Sequence, residues 1–175
     1  MEAWQILLII IAIVLFVYMA GLFIVLSYAF DFNARIRRRL NAINMILFEK
    51  RRIILEIYHA CIENGSTFEE KFVSSLSQFQ TYEFKKPRFD DCKNAISLQK
   101  FIQSRLFYEF QLYPALKESA SISSNVTMLE DLDRNIRTSC SLFNADAQGY
   151  NYWINVPGYH WFFFLIGKRN LSSII

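Results

Sequence analysis

Proline, glycine and cysteine are scarce in this chain, with 3, 5 and 3 copies among 175 residues. So few turn-forming residues argue against a sandwich or barrel of many short strands. Three cysteines cannot build a disulfide framework, and an odd number leaves one thiol over in any pairing. Positive charge is missing at the start, because all 19 Lys and Arg lie at or after residue 35 and Glu2 is the one charge in the first 30 residues. The net charge of +3 is too small to mark the whole molecule as a nucleic-acid binder. There is no Gly-rich phosphate loop, no H-E-x-x-H and no C-x-x-C, so no catalytic residue, cofactor or metal is expected.

What is present is apolar mass, 53% of the chain, which argues against disorder. Ala3 to Phe30 contains no Asp, Glu, Lys, Arg or His. As a helix these 28 positions reach roughly 42 Å, more than the about 30 Å of a hydrocarbon core. A lone apolar crossing must be helical, since lipid offers no partner to backbone amides. Trp4 and Tyr28 stand near its two ends as interfacial aromatics. Ser27-Tyr28-Ala29 resembles a signal-peptide cleavage site, but the positive leader is missing and the apolar run is about twice the usual length. Arg35, Arg37, Arg38 and Arg39 follow the run with no Lys or Arg before it. The positive-inside rule then places the N-terminus outside and the remainder in the cytoplasm, with the bilayer itself as the first partner. The same arginines suit anionic headgroups, at about 1 kcal/mol per cation near the surface. Nucleic acid is not expected there.

Beyond residue 30 the chain reads as helix almost throughout. Ile36, Leu40, Ile43, Leu47, Ile54, Ile57 and Cys61 recur at three- and four-residue steps, so the first helix runs on from the span, and Asn64-Gly65 ends it. Lys50, Arg51 and Arg52 lie mainly off that stripe. Ser66-Thr67-Phe68-Glu69 predicts a capping box opening a second helix with Phe68, Phe72, Val73, Leu76 and Phe79 on its apolar face. Pro87 breaks the chain, and Asp90 suits the cap of a third helix through Leu98, Phe101, Ile102, Leu106 and Phe110. Ser119 to Asn125 reads as a Ser-rich connection. Thr127-Met128-Leu129-Glu130 predicts a second capping box, and Leu129, Ile136, Phe143 and Tyr150 repeat every seven residues in a fourth helix stopped by Pro157-Gly158.

Four helices with one apolar stripe each predict an all-α fold, a single N-terminal transmembrane helix continuing into an antiparallel four-helix bundle. The expected divisions are a membrane anchor over 1–30, a cytoplasmic bundle over 31–157 and an aromatic tail over 158–175. In the tail, Trp161, Phe162, Phe163 and Phe164 followed by Lys168 and Arg169 suit an interfacial anchor, or equally a cap on the bundle's open end. His59 and Cys61 are two apart and so face different ways on a helix. Glu56 and His59 supply Glu-x-x-His spacing once, where a di-iron bundle needs it twice. Asn144 and Asn151 flank the aromatic stripe and suit register-setting in a seam.

Tyr113-Pro114, Leu116-Lys117, Leu129, Asp133, Ile136, Phe143-Asn144, Tyr150-Asn151 and Pro157 together resemble the signature of the LemA family. Upstream, Asn33 after the span and Leu47 with Arg51-Arg52 extend the likeness. Phe143 stands where the family has a first tyrosine, Cys140 where it has arginine, and Ile53-Ile54-Leu55-Glu56 replaces its I-P-N-L stretch. The resemblance implies a bacterial cell (inner) membrane protein with one span, a helical cytoplasmic bundle and no known catalysis. The expectation is therefore a non-enzymatic scaffold or adaptor, with an unidentified membrane or cytoplasmic protein as partner. A lipid- or small-molecule-binding bundle and a regulatory adaptor of a membrane protease or transporter are the alternatives. Of the 29 aromatic residues, 23 follow residue 30, more than four short helices bury, so a homo-oligomer is expected.

Overall fold

The computed structural model describes residues 2–82, 89–112 and 120–174. Among these, every regular element is an α-helix: α1 Ala3–Glu63, α2 Glu70–Thr81, α3 Phe89–Leu112, α4 Ala120–Ile154 and α5 His160–Leu165. Pro87, the Tyr113, Pro114, Leu116 and Lys117 element and the Phe110 side chain lie outside the described residues.

The apolar run and the stripe that follows it form one helix of 61 residues. No proline precedes Pro87 and Gly21 is the only interior glycine, so nothing removes a backbone donor along its length. The expected stop is present. Gly65 adopts φ 85°, its N–H donates to the Ile62 carbonyl at 2.9 Å, and the Ser66 N–H donates to Cys61 at 3.0 Å. These two bonds satisfy carbonyls that the last turn leaves open.

Neither expected capping box forms. Helix α2 begins after Glu69, which makes no side-chain capping bond and instead pairs with Arg105 at 3.0 Å. Thr127 lies inside α4, where its hydroxyl donates back to the Ser123 carbonyl at 3.1 Å. The Ser-rich stretch is helical from Ala120, because Ile122 is buried in the core and packing outweighs the weak helix preference of serine. Asp90 falls inside the first turn of α3 together with Asp91, where negative charge suits the helix dipole.

The chain divides into two compact units, Met1–Arg37 with Asn144–Ser173, and Arg38–Phe143 with Ile174–Ile175. In the larger unit, Ile53, Ile54, Ile57 and Cys61 of α1 share one core with Phe72, Leu76 and Phe79 of α2, Ile102 and Leu106 of α3, and Ile122 and Leu129 of α4. Tyr58 packs near Phe68 and Phe72, at ring-centroid distances of 5.2 and 5.9 Å. The Arg51 guanidinium donates to the Gln80 and Tyr82 carbonyls at 2.8 and 3.3 Å, a cation where the end of α2 exposes its carbonyls. Val73 and Phe101, expected on apolar faces, are exposed instead. On α3 the buried side passes through Cys92, Ala95, Ile96, Gln99, Ile102, Gln103 and Leu106, centred about 160° around the helix from Phe101.

Cys61, Cys92 and Cys140 are all buried and free. Burial holds their thiols above the ordinary 9.0, with Cys61 and Cys140 pushed up to about 11. The unfolded chain loses those protons first, so the thiols' contribution to stability is complete below pH 9 and is lost as pH rises through 11. At pH 8 a disulfide reagent such as DTNB is expected to leave the native protein untouched and to titrate all three thiols after denaturation. Rapid reaction of one native thiol would show that its side chain is open to solvent.

The smaller unit joins the first part of α1 to the end of α4 and to α5. Tyr28 stacks on Trp153 at 4.4 Å and Tyr18 on Tyr159 at 4.9 Å. A side chain at Gly149 would collide with the Phe32 ring, which explains a glycine inside α4. Leu22, Val25, Ala29 and Ile36 are the buried residues of α1 here, and Phe163 is the buried residue of α5.

Candidate functional site

The first candidate is a surface. Every large apolar residue from Ile6 to Val17 is exposed, Phe16 to 75%. That is the inverse of a soluble core helix, and α1 is long and apolar enough to cross a membrane. Trp4 and Tyr28 are about half exposed. Arg35 pairs with Asp31 at 2.6 Å and lies over the Phe32 ring at 5.2 Å. Arg37 and Arg38 are exposed, while Arg39 is half-buried.

The aromatic tail is divided in role. Phe163 is buried and Phe162 half-buried, whereas Trp161, Phe164, Leu165 and Ile166 are exposed. The Trp161 indole donates to the Tyr18 hydroxyl at 3.0 Å and to the Gly158 carbonyl at 2.9 Å. Lys168 is half-buried and Arg169 exposed. Asn151 accepts from the Leu171 N–H and donates to its carbonyl, both at 2.8 Å, so it ties the tail to α4. No feature of the sequence points to that tie, since the spacing of Asn144 and Asn151 suggests only a helix seam.

The second candidate is a polar layer inside the larger unit. Lys50 of α1 is completely buried. Its ammonium is ion-paired with Asp133 of α4 and donates to Gln103 of α3 at 3.0 Å. Gln103 in turn donates to Asp133 at 2.6 Å and accepts from Gln99 at 2.8 Å. Burial of Lys50 corrects the expectation that it lies off the apolar stripe with Arg51 and Arg52. The signal is nevertheless in the chain: the stripe steps from Leu47 to Ile54, and Lys50 occupies the skipped position. Asp133 likewise stands on the α4 seam between Leu129 and Ile136. Burial pushes the Lys50 ammonium below its ordinary 10.5; Lys100 and Arg137 act in the same direction and Asp133 opposes them.

Beside this layer, α3 and α4 leave a groove of about 260 Å³ lined by Gln99, Lys100, Gln103, Asp133 and Arg137, with Ile96, Phe107 and Ile136 as apolar walls. Among the described residues, no three His, Cys, Asp or Glu side chains converge as metal ligands. His59 and His160 are both exposed. Of the signature residues, Ile136, Phe143 and Tyr150 are buried, Asn144 is half-buried, and Pro157 is exposed beyond the end of α4. Comparison with family models, curated proteins and solved structures finds no match.

Proposed function

We propose that this chain is a membrane-anchored helical scaffold of LemA type, acting without catalysis. Its span crosses a bacterial cell membrane once, with the N-terminus outside. An antiparallel four-helix bundle then stands at the cytoplasmic face, self-associates, and recruits a protein partner. The observation that carries the anchor is the all-round exposure of Ile6 to Val17 ahead of the arginine cluster. The bundle reading draws on contacts within the larger unit whose order reverses between successive helices. Arg51 meets Gln80 while Tyr58 meets Phe72; Glu69 meets Arg105 while Tyr82 meets Cys92. Phe89 meets Phe143 while Gln103 meets Asp133, and Lys50 meets Asp133 while Glu56 meets Asn125. Exposed Met45, Phe48, Met128 and Leu142 support self-association.

Alkaline carbonate is expected to leave the protein in the membrane fraction, and protease outside intact cells is expected to spare the carboxy-terminal part. Release by carbonate sinks the anchor; digestion of the carboxy-terminal part reverses the orientation. A second reading, a bundle that takes a small anionic molecule or lipid headgroup, is favoured by one feature, the groove whose rim carries Lys100 and Arg137.

A further inference from the structure

Asp146 and Lys168 bracket 21 residues that contain no Asp, Glu, Lys or Arg. Along α1 this segment travels toward the apolar end and comes back. Gly149 lies against Phe32, Trp153 stacks on Tyr28, and Tyr159 reaches Tyr18 and Gly21. Then Phe163, Ile166 and Lys168 line one small cavity with Ala29, Phe30 and Asn33. From Phe32 to Tyr18 the excursion is about 21 Å of helix.

The length of α1 places that turn in hydrocarbon. A core of about 30 Å needs about 20 helical residues. The flanking charges Glu2 and Asp31 confine the crossing to Ala3–Phe30. Every window of about 20 residues inside those limits contains residues 11–22, hence Tyr18, Gly21 and Leu22. We infer that residues 147–167 form a re-entrant hairpin that enters the bilayer beside α1, turns at Pro157-Gly158, and leaves on the side of Arg35, with lipid acyl chains covering its outer face.

Several polar groups of the turn have partners that lipid cannot supply. The Gly158 carbonyl accepts from the Tyr18 hydroxyl and the Trp161 indole, each at 2.9 Å. The Tyr159 and His160 N–H groups donate to the Val156 carbonyl at 3.1 and 3.2 Å. The Tyr159 hydroxyl donates to the Tyr18 carbonyl at 3.4 Å. Phe164 is 76% and Leu165 71% exposed, and Phe23 of α1, in the same unit, is 73% exposed. The exposed polar side chains of the segment are Gln148, His160 and Asn155, the last donating to the Asn151 carbonyl and to the Asn170 side chain, both at 2.7 Å. Gly21, an isolated glycine in an apolar run, is where the Tyr159 ring lies too close for any side chain.

The hairpin rests on the proposed membrane crossing, so its test carries a control for the crossing. The full chain is reconstituted in phosphatidylcholine vesicles whose acyl chains are brominated near mid-length. Trp161 is isolated in W4F/W153F, and α1 is reported by V14W in a background with all three native tryptophans replaced by Phe. Quenching of both reporters by about half or more relative to plain lipid supports the hairpin. Quenching of the V14W reporter alone, with Trp161 open to aqueous iodide, overturns the hairpin and leaves the anchor. Quenching of neither overturns both. Because Trp153 stacks on Tyr28, a second pair avoids it. F164C is expected to react with a bulky aqueous maleimide at least about tenfold more slowly than S172C, which lies beyond Lys168. Equal rates overturn the proposal.

Discussion

Asp133→Ala is expected to lower the stability of the full chain in mild detergent by about 3–5 kcal/mol, the cost of leaving one partner of a buried ion pair alone. For a chain of this size that is a fall in Tm on the order of 10 °C, read by circular dichroism. The reason is local. Lys50 has no exposed surface, so its ammonium cannot recover the lost carboxylate by turning to water, and Gln103 loses its acceptor as well. Replacing the pair together, as K50M/D133L, is expected to restore stability to within about 1–2 kcal/mol of the parent, because apolar side chains of similar volume need no solvation. What the double variant should lose is uniqueness of register, seen as a broadened size distribution. Equal stability of Asp133→Ala and the parent would show that the layer is solvated. The pH response gives an independent check. The folded chain releases the Lys50 proton below 10.5 while the unfolded chain still holds it. This group's contribution to stability therefore rises with pH up to 10.5. The buried thiols act in the opposite direction, so K50M is expected to lose stability more steeply than the parent above pH 9.

Phe79→Ala is expected to cost about 3–5 kcal/mol, the range for removing a fully buried aromatic ring. Helix α2 has only 12 residues and no side-chain cap at its start, and a helix that short is marginal alone in water. Phe72, Leu76 and Phe79 hold it to the core. Amide exchange in α2 should accordingly accelerate more than in α3 or α4. Val73→Ala supplies the contrast: the side chain is 43% exposed, and the change should stay within about 0.5 kcal/mol. Similar losses from both substitutions would mean that α2 buries a different face.

Where the apolar pattern repeats over several turns, the sequence is readable. The stripe of α1 through Ile36, Leu40, Ile43, Leu47, Ile54, Ile57 and Cys61 is buried at every one of those positions, and so are Leu129, Ile136, Phe143 and Tyr150 of α4. Burial of apolar side chains is the dominant driving force of folding, and its periodicity is written directly in the chain. Short local signals fare worse. Ser66 to Glu69 and Thr127 to Glu130 have the letters of a capping box, but Glu69 finds Arg105 and packing at Ile122 carries α4 upstream of Thr127. A cap is a contribution of about 1 kcal/mol, easily outweighed by one buried side chain.

Composition and order alone determined that this chain is helical and that its N-terminal helix suits a bilayer, because both follow from runs and periods within one segment. Tertiary structure decided which lysine is buried, what Gly21 and Gly149 accommodate, and how far the aromatic tail travels along α1. Those depend on which side chains meet across segments more than 80 residues apart in the cases of Lys50 with Asp133 and Tyr18 with Gly158. Such a meeting has no period to betray it, since the free energy of a polar contact lies in the pair and not in either residue.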